Sequence, residues 1–227
     1  MGEVIVVTSG KGGVGKTTTT ANLGSALALA GKKVALVDTD IGLRNLDVVL
    51  GLENRIVYDL VDVIEEKCKL RQALIKDKRF KELFLLPAAQ TKDKTAINEQ
   101  QMIDLINKLK EEFDYILIDC PPSLGLVTLN SLTASDTVLV PIQCEYYALE
   151  GVADLINTIK LVEQRLKSPT PIKGVLLTLY DKRTRLSRDV HKELKSYFGE
   201  TNLLLKTIIP RNIRLAEAPS FGKPCLI

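Results

Sequence analysis

Nine consecutive residues, Gly10-Lys11-Gly12-Gly13-Val14-Gly15-Lys16-Thr17-Thr18, carry the densest chemistry in the sequence. Phosphate oxygens need many N–H donors at short range, and glycine lets the backbone approach them with no Cβ in the way. Gly10, Gly12, Gly13 and Gly15 meet that need, while a helix starting near Lys16 would aim its positive end at the same anion. The spacing G-x-x-x-x-G-K-T assigns Lys16 to the β- and γ-phosphates, the Thr17 hydroxyl to Mg²⁺ and Thr18 to the α-phosphate. The motif requires a strand before it and a helix after it, and the apolar run 4–7 supplies the strand. A chance Gly-rich turn is the competing reading.

Mg²⁺ keeps most of its waters and is held through one or two carboxylates. Two aspartates close apolar runs: Asp38 follows 34–37 and Asp119 follows 115–118. In a parallel sheet both lie at the carboxyl edge, where ligands bind. Either alone could be a capping residue; beside the cradle they read as a metal pair. The expected cofactors are therefore ATP and Mg²⁺.

The elements that must position these residues follow from periodicity. Apolar runs at 4–7, 34–37, 83–86, 115–118, 137–140, 175–179 and 203–209 read as buried parallel strands. Helical patterns at 17–30, 99–112, 124–134, 150–166 and 187–198 lie between them as crossovers. The expected fold is α/β, a P-loop NTPase three-layer sandwich with a mostly parallel sheet and helices on both faces. One domain should span 1–227. Segments 38–54 and 86–98 look irregular, the first being a candidate switch loop because it follows a strand end.

Composition narrows the class. The chain has 45% hydrophobic residues and no run of the ~20 apolar residues a membrane span needs, and it starts directly on a strand, so a cytoplasmic protein is expected. Cys68, Cys120, Cys144 and Cys225 are scattered without a CxxC pair, which argues against a disulfide framework and against a closely spaced metal site. Residues 170–227 hold 11 Lys/Arg against 5 Asp/Glu, a balance of +6 in a chain of net +3. That asymmetry points to a polyanionic partner or to a solvated basic surface.

The extra lysine in Lys11-Gly-Gly-Val-Gly-Lys16-Thr-Thr resembles the deviant Walker A signature of the MinD/ParA family, and the likeness covers essentially the whole chain. It implies a nucleotide-sandwich dimer formed on ATP binding, in which Lys11 reaches the partner's phosphates. A second cation in a water-poor interface would stabilise charge on the transferred phosphoryl group; a solvated loop lysine is the alternative. The loop 38–47 resembles the family's switch I, where the residue matching Asp40 orients the attacking water. Lys11, Lys16 and Asp40 are thus the implied catalytic residues. A weakly basic carboxylate implies slow hydrolysis.

Two branches of the family meet in this chain. Residues 1–119 resemble the division-site MinD branch through 40–47, 54–61, 72–78 and 86–91. From Cys120 onward, 121–125, 141–151 and 209–223 resemble the chromosomal ParA branch called Soj, as a hybrid would. Family members continue past Gly222-Lys223-Pro224 with another helix, and MinD adds an amphipathic membrane helix. The chain ends at Ile227, so a C-terminal truncation and no autonomous membrane attachment are expected.

Soj-type function implies an ATP dimer that binds DNA non-specifically through phosphate contacts. In 187–198 a stripe of Leu186, Val190, Leu194 and Phe198 should be buried, with Arg188, Lys192 and Lys195 on another face. Arg183, Arg185, Arg214 and Lys223 could join that patch. The resemblance places the adenine edge at Pro210-Arg211-Asn212, near Tyr180-Asp181, and puts Glu145 and Glu150 in a dimer and partner region. Four functions compete: a partitioning switch with a ParB-type activator, a division-site switch with a MinE-type activator, an iron–sulfur or redox ATPase of the same fold, and a nucleotide-binding scaffold without turnover. The redox reading needs thiolate spacings the sequence lacks.

Overall fold

The computed structural model describes residues 1–90, 97–146, 148–166, 170–199 and 201–225. Residues 91–96 of the 86–98 segment, Tyr147 of the 141–151 stretch and Leu226-Ile227 lie outside the described residues. Among the described residues one sheet contains β1 (Glu3–Val7), β2 (Val34–Asp38), β3 (Ile75–Lys76), β4 (Leu83–Leu86), β5 (Tyr115–Asp119), β6 (Thr137–Gln143), β7 (Ile172–Tyr180) and β8 (Leu204–Pro210). Their spatial order is β3-β4-β2-β5-β1-β6-β7-β8. Every neighbouring pair is parallel except β3–β4. Each of the seven expected runs is a strand; the two-residue antiparallel β3 was not expected.

The helices are α1 (Lys16–Leu29), α2 (Leu46–Val49), α3 (Leu60–Ile64), α4 (Leu70–Ala73), α5 (Glu99–Glu112), α6 (Leu126–Thr133), α7 (Ala148–Leu166), α8 (Arg185–Phe198) and α9 (Ile213–Glu217), with 3₁₀ turns at Glu53–Arg55 and Ala218–Phe221. Strand alternation sends successive side chains to opposite faces. Val4, Val6, Val37 and Ile118 pack on one side with Ile106 of α5, Val127 of α6, Leu155 of α7 and Leu194 of α8. Ile5, Val7, Leu36 and Leu117 pack on the other with Ala21 of α1 and Leu46 and Val49 of α2. Both faces are therefore covered by helices, which explains why the strands read as continuous apolar runs. Helix α1 lies so near β2 that a Cβ on Gly24 would sit 2.5 Å from Leu36 Cδ2.

Helix α8 corrects one expectation. Val190, Leu194 and Phe198 are buried, but Leu186 is 45% exposed and Ser187 takes its place at 4%. Thr184, the N-cap, accepts a hydrogen bond from the Ser187 amide, and the two hydroxyls lie 3.0 Å apart. The first turn is thus fixed by polar capping rather than by an apolar contact.

Candidate nucleotide and metal site

The carboxyl ends of β1, β2 and β5 bring the cradle and the two aspartates together. Between β1 and α1 the chain turns through Gly13 (φ 76°) and Gly15 (φ 88°), left-handed conformations suited to glycine. No atom lies within 4 Å of where a Cβ would stand at either residue, so the concave side is open to a ligand. Gly12 faces Pro122 at 3.6 Å, and a Cβ at Gly10 would meet the Gly151 carbonyl at 2.7 Å. Gly10 lets the loop touch the start of α7. Val14 is buried, and its carbonyl accepts the Thr178 hydroxyl of β7 at 2.7 Å. Thr18, in the first turn of α1, gives its carbonyl to Asn22 Nδ2 at 2.8 Å.

Lys16 is 7% exposed, with Nζ 3.4 Å from Ser9 Oγ and 3.3 Å from the Lys11 carbonyl. Burial lowers its pKa, while the Asp119 and Asp40 carboxylates pull it back up. A desolvated cation with such weak partners is poised for a stronger anion.

Asp38 and Asp119 are register partners on adjacent strands, 1% and 2% exposed. Burial, then the neighbouring Asp119 carboxylate, pushes the Asp38 pKa well above the usual range, against hydrogen bonds from the Asp40 and Leu46 amides. Burial likewise raises Asp119 to about 7, opposed by the Thr17 hydroxyl, Lys16 and Thr20. Two adjacent buried carboxylates that resist ionisation, with a hydroxyl beside them, form a donor set suited to a hard divalent cation. Among the described residues no group of three or more His, Cys, Asp or Glu could hold a metal, so a cation here would be completed by Thr17, water and phosphate.

Asp40 is 7% exposed and close enough to Lys16, Asp38 and Asp119 to shift all three. Its carbonyl accepts from Leu43 and Arg44, forming a turn in which Arg44 is left-handed (φ 48°). Arg44 pairs with buried Asp47 at 2.6 Å. The expected irregular segment 38–54 is therefore a tight turn followed by α2.

Lys11 is exposed and pairs with Glu145 of the same chain. Exposed pairs contribute about 0–1 kcal/mol, so Glu145 holds Lys11 without fixing it. Sequence reasoning also missed Thr20, whose hydroxyl lies 3.2 Å from Asp119 Oδ1, and Thr39, whose amide and hydroxyl both bind the Asp119 carbonyl. Thr39 sits between Asp38 and Asp40, and Thr20 lies one turn past Lys16, a usable signal. The Cys120 thiol is pushed up to about 12 by burial, which leaves it neutral and inert beside the carboxylates.

Pro210, Arg211 and Asn212 line an open cleft of about 850 Å³ with Tyr180, Arg183 and Arg214. Two residues expected on a DNA surface, Arg183 and Arg214, thus line the same cleft as Pro210–Asn212. Arg183 is clamped to Asp181 at 2.7 Å, and this guanidinium holds the Asp181 carboxyl down at about 2. Arg185 faces Asp189 at 3.4 Å. Arg188, Lys192 and Lys195 are exposed along α8, and Lys223 is exposed beside Arg214 in another hollow.

A family model described as an AAA domain matches residues 2–172. The sporulation initiation inhibitor protein Soj of Bacillus subtilis is 46% identical over 242 residues, covering 100% of this chain and 91% of Soj. The septum site-determining protein MinD of the same organism is 58% identical over 165 residues, covering 72% of this chain and 60% of MinD. Among solved structures, the septum site-determining protein MinD complexed with Mg-ADP from Pyrococcus horikoshii superposes with a TM-score of 0.79 at 29% identity, over 100% of this chain and 88% of that one. With its open glycine cradle and register-paired aspartates, and with likeness to both Soj and MinD, this chain belongs to the MinD/ParA family of P-loop ATPases, in the AAA-domain group.

Proposed function

We propose that the chain is a MgATP-dependent dimerising switch whose ATP-bound dimer holds DNA without sequence preference, as in chromosome or plasmid partitioning. The observation that carries the choice of DNA is the likeness to Soj over the whole chain, including the half that bears the basic row of α8. The Mg-ADP in the solved MinD relative and the fit of the donor set support ATP and Mg²⁺ as the cofactors.

In this reading the 10–15 backbone and Lys16 bind the phosphates, and Thr18 and the Pro210–Asn212 edge orient the rest of the nucleotide. Thr17, Asp38 and Asp119 would hold Mg²⁺, whose charge offsets that of the phosphates. Asp40 accepts a hydrogen bond from a water and aims it. The carboxylate is a weak base, so turnover is slow. Lys11 leaves Glu145 and crosses to the partner's phosphates, which makes dimerisation conditional on ATP. An activating protein of ParB or MinE type would accelerate the return to monomer. The protein then works in the cytoplasm, on the nucleoid.

A second reading, division-site placement, is favoured by the 58% identity with MinD. None of the described helices is long and apolar enough to cross a membrane, so in that reading attachment would be peripheral. Filter retention of plasmid DNA and pelleting with anionic vesicles, both on Asp40→Ala loaded with MgATP, separate the two. The expected outcome is DNA retention that falls roughly 10³- to 10⁴-fold between about 50 and 200 mM salt, for about six to eight phosphate contacts per dimer. Arg188→Glu should weaken it further. Vesicle pelleting without DNA retention would transfer the role to the division site.

A further inference from the structure

The segment 211–225 crosses the nucleotide edge of the molecule as a strap with three tethers. At its start the Arg211 amide donates to the Tyr180 carbonyl at 2.9 Å. At its end the Cys225 amide donates to Asn22 Oδ1 at 2.8 Å, and Asn22 also bonds the Thr18 carbonyl. Between them stands Arg79. Its Nη1 donates to the Gly222 carbonyl at 2.6 Å, its Nη2 donates to the Leu50 carbonyl, and Asp77 receives both Nη2 (2.9 Å) and Nε (3.2 Å).

The clamp is built for a single arrangement. Asp77 is 2% exposed; burial pushes its carboxyl up, but the Arg79 guanidinium and the Arg79 and Phe80 amides override this and hold it below the usual range. Only a planar guanidinium can serve a carboxylate and two divergent carbonyls at once. Beneath it Gly51 (φ 60°) and Gly222 (φ 57°) cross backbone to backbone, and a Cβ on Gly222 would lie 2.7 Å from Gly51 Cα. Gly51 lies one residue beyond the Leu50 cap position of α2 (Leu46–Val49), whose first amide, Leu46, donates to Asp38 Oδ2 at 3.2 Å. One side chain therefore joins the strap bearing the base edge to the helix that orients a metal carboxylate.

We infer that Arg79 is a positioning residue for the nucleotide base: it docks the strap so that Pro210–Asn212 stand at a fixed distance from the phosphate cradle. The inference rests on the base-edge reading above. Arg79 itself touches no reacting group. Its loss should leave phosphate binding by the 10–18 loop intact and cost the ordering of the strap each time a base binds.

The test measures ATP and inorganic tripolyphosphate affinities for wild type, Arg79→Ala and Gly222→Ala. Wild type should prefer ATP. Arg79→Ala should lose roughly tenfold in ATP affinity while keeping its tripolyphosphate affinity, the size expected for re-ordering one or two side chains. Gly222→Ala, which disturbs the same crossing with Arg79 present, should do likewise, and Arg79→Lys should recover only part of the preference. An unchanged ATP-to-tripolyphosphate ratio in both variants overturns the inference, as does an equal loss of both ligands, which marks a structural role alone. A wild type that binds the two ligands equally defeats the base-edge reading itself.

Discussion

At the proposed phosphate end of the cleft, nine adjacent residues and two register-paired strand ends supply nearly all the proposed contacts. At the proposed base end, Pro210–Asn212 are exposed and follow from β8 into a strap whose tethers reach Tyr180, Asn22 and Arg79, the last 143 positions from its acceptor Gly222. The first kind of site is written in one stretch of chain and rigidified by burial. The second is assembled by tertiary hydrogen bonds, two of the three to backbone carbonyls, which accept from any donor and leave no signature in residue type. Binding strength should therefore concentrate at the phosphate end, while selectivity for the base is set from a distance.

That contrast is most exposed at Lys16. Lys16→Ala removes charge-assisted hydrogen bonds to two phosphates, each about 1.5–3 kcal/mol, so ATP and tripolyphosphate affinities should both fall by roughly 10² to 10⁴-fold. Equilibrium binding with either ligand checks it, and a loss confined to ATP would reverse the proposed division of labour. The Arg79→Ala experiment is the complementary arm, with a smaller effect that should appear for ATP alone.

The carboxylate pair predicts a pH dependence of intermediate size. Because Asp119 is raised to about 7 in the fold, the folded state binds more protons than the unfolded chain between the ordinary carboxylate range and about pH 7. By linkage, stability of the nucleotide-free protein declines as pH rises through that window. Mg²⁺ should offset the decline, so its stabilising effect grows from pH 6 to pH 8. In Asp119→Asn the growth should shrink to the part that Asp38 contributes. Thermal melts with and without Mg²⁺ at the two pH values measure it; an Asp119→Asn protein that keeps the full Mg²⁺ response would remove Asp119 from the metal set.

Much of the fold was legible because parallel strands buried on both faces read as uninterrupted apolar runs, and Asp38 and Asp119 announced themselves by ending two of them. Short pieces were not: α2 and β3 are too brief for a period to register. Leu186 misled because apolar spacing alone cannot show that a helix starts by capping, with Ser187 turned inward instead. Gly10 has a second need for glycine, its close approach to Gly151, a neighbour 141 positions away that no local pattern reveals.

The ATP-conditional dimer is read off the mass of Asp40→Ala in solution. Light scattering with MgATP should give about twice the 25.1 kDa chain, with MgADP the single chain, and Lys11→Ala placed in the same background should stay single with either nucleotide. A single-chain mass for Asp40→Ala in MgATP, or a dimer indifferent to Lys11, would contradict the claim.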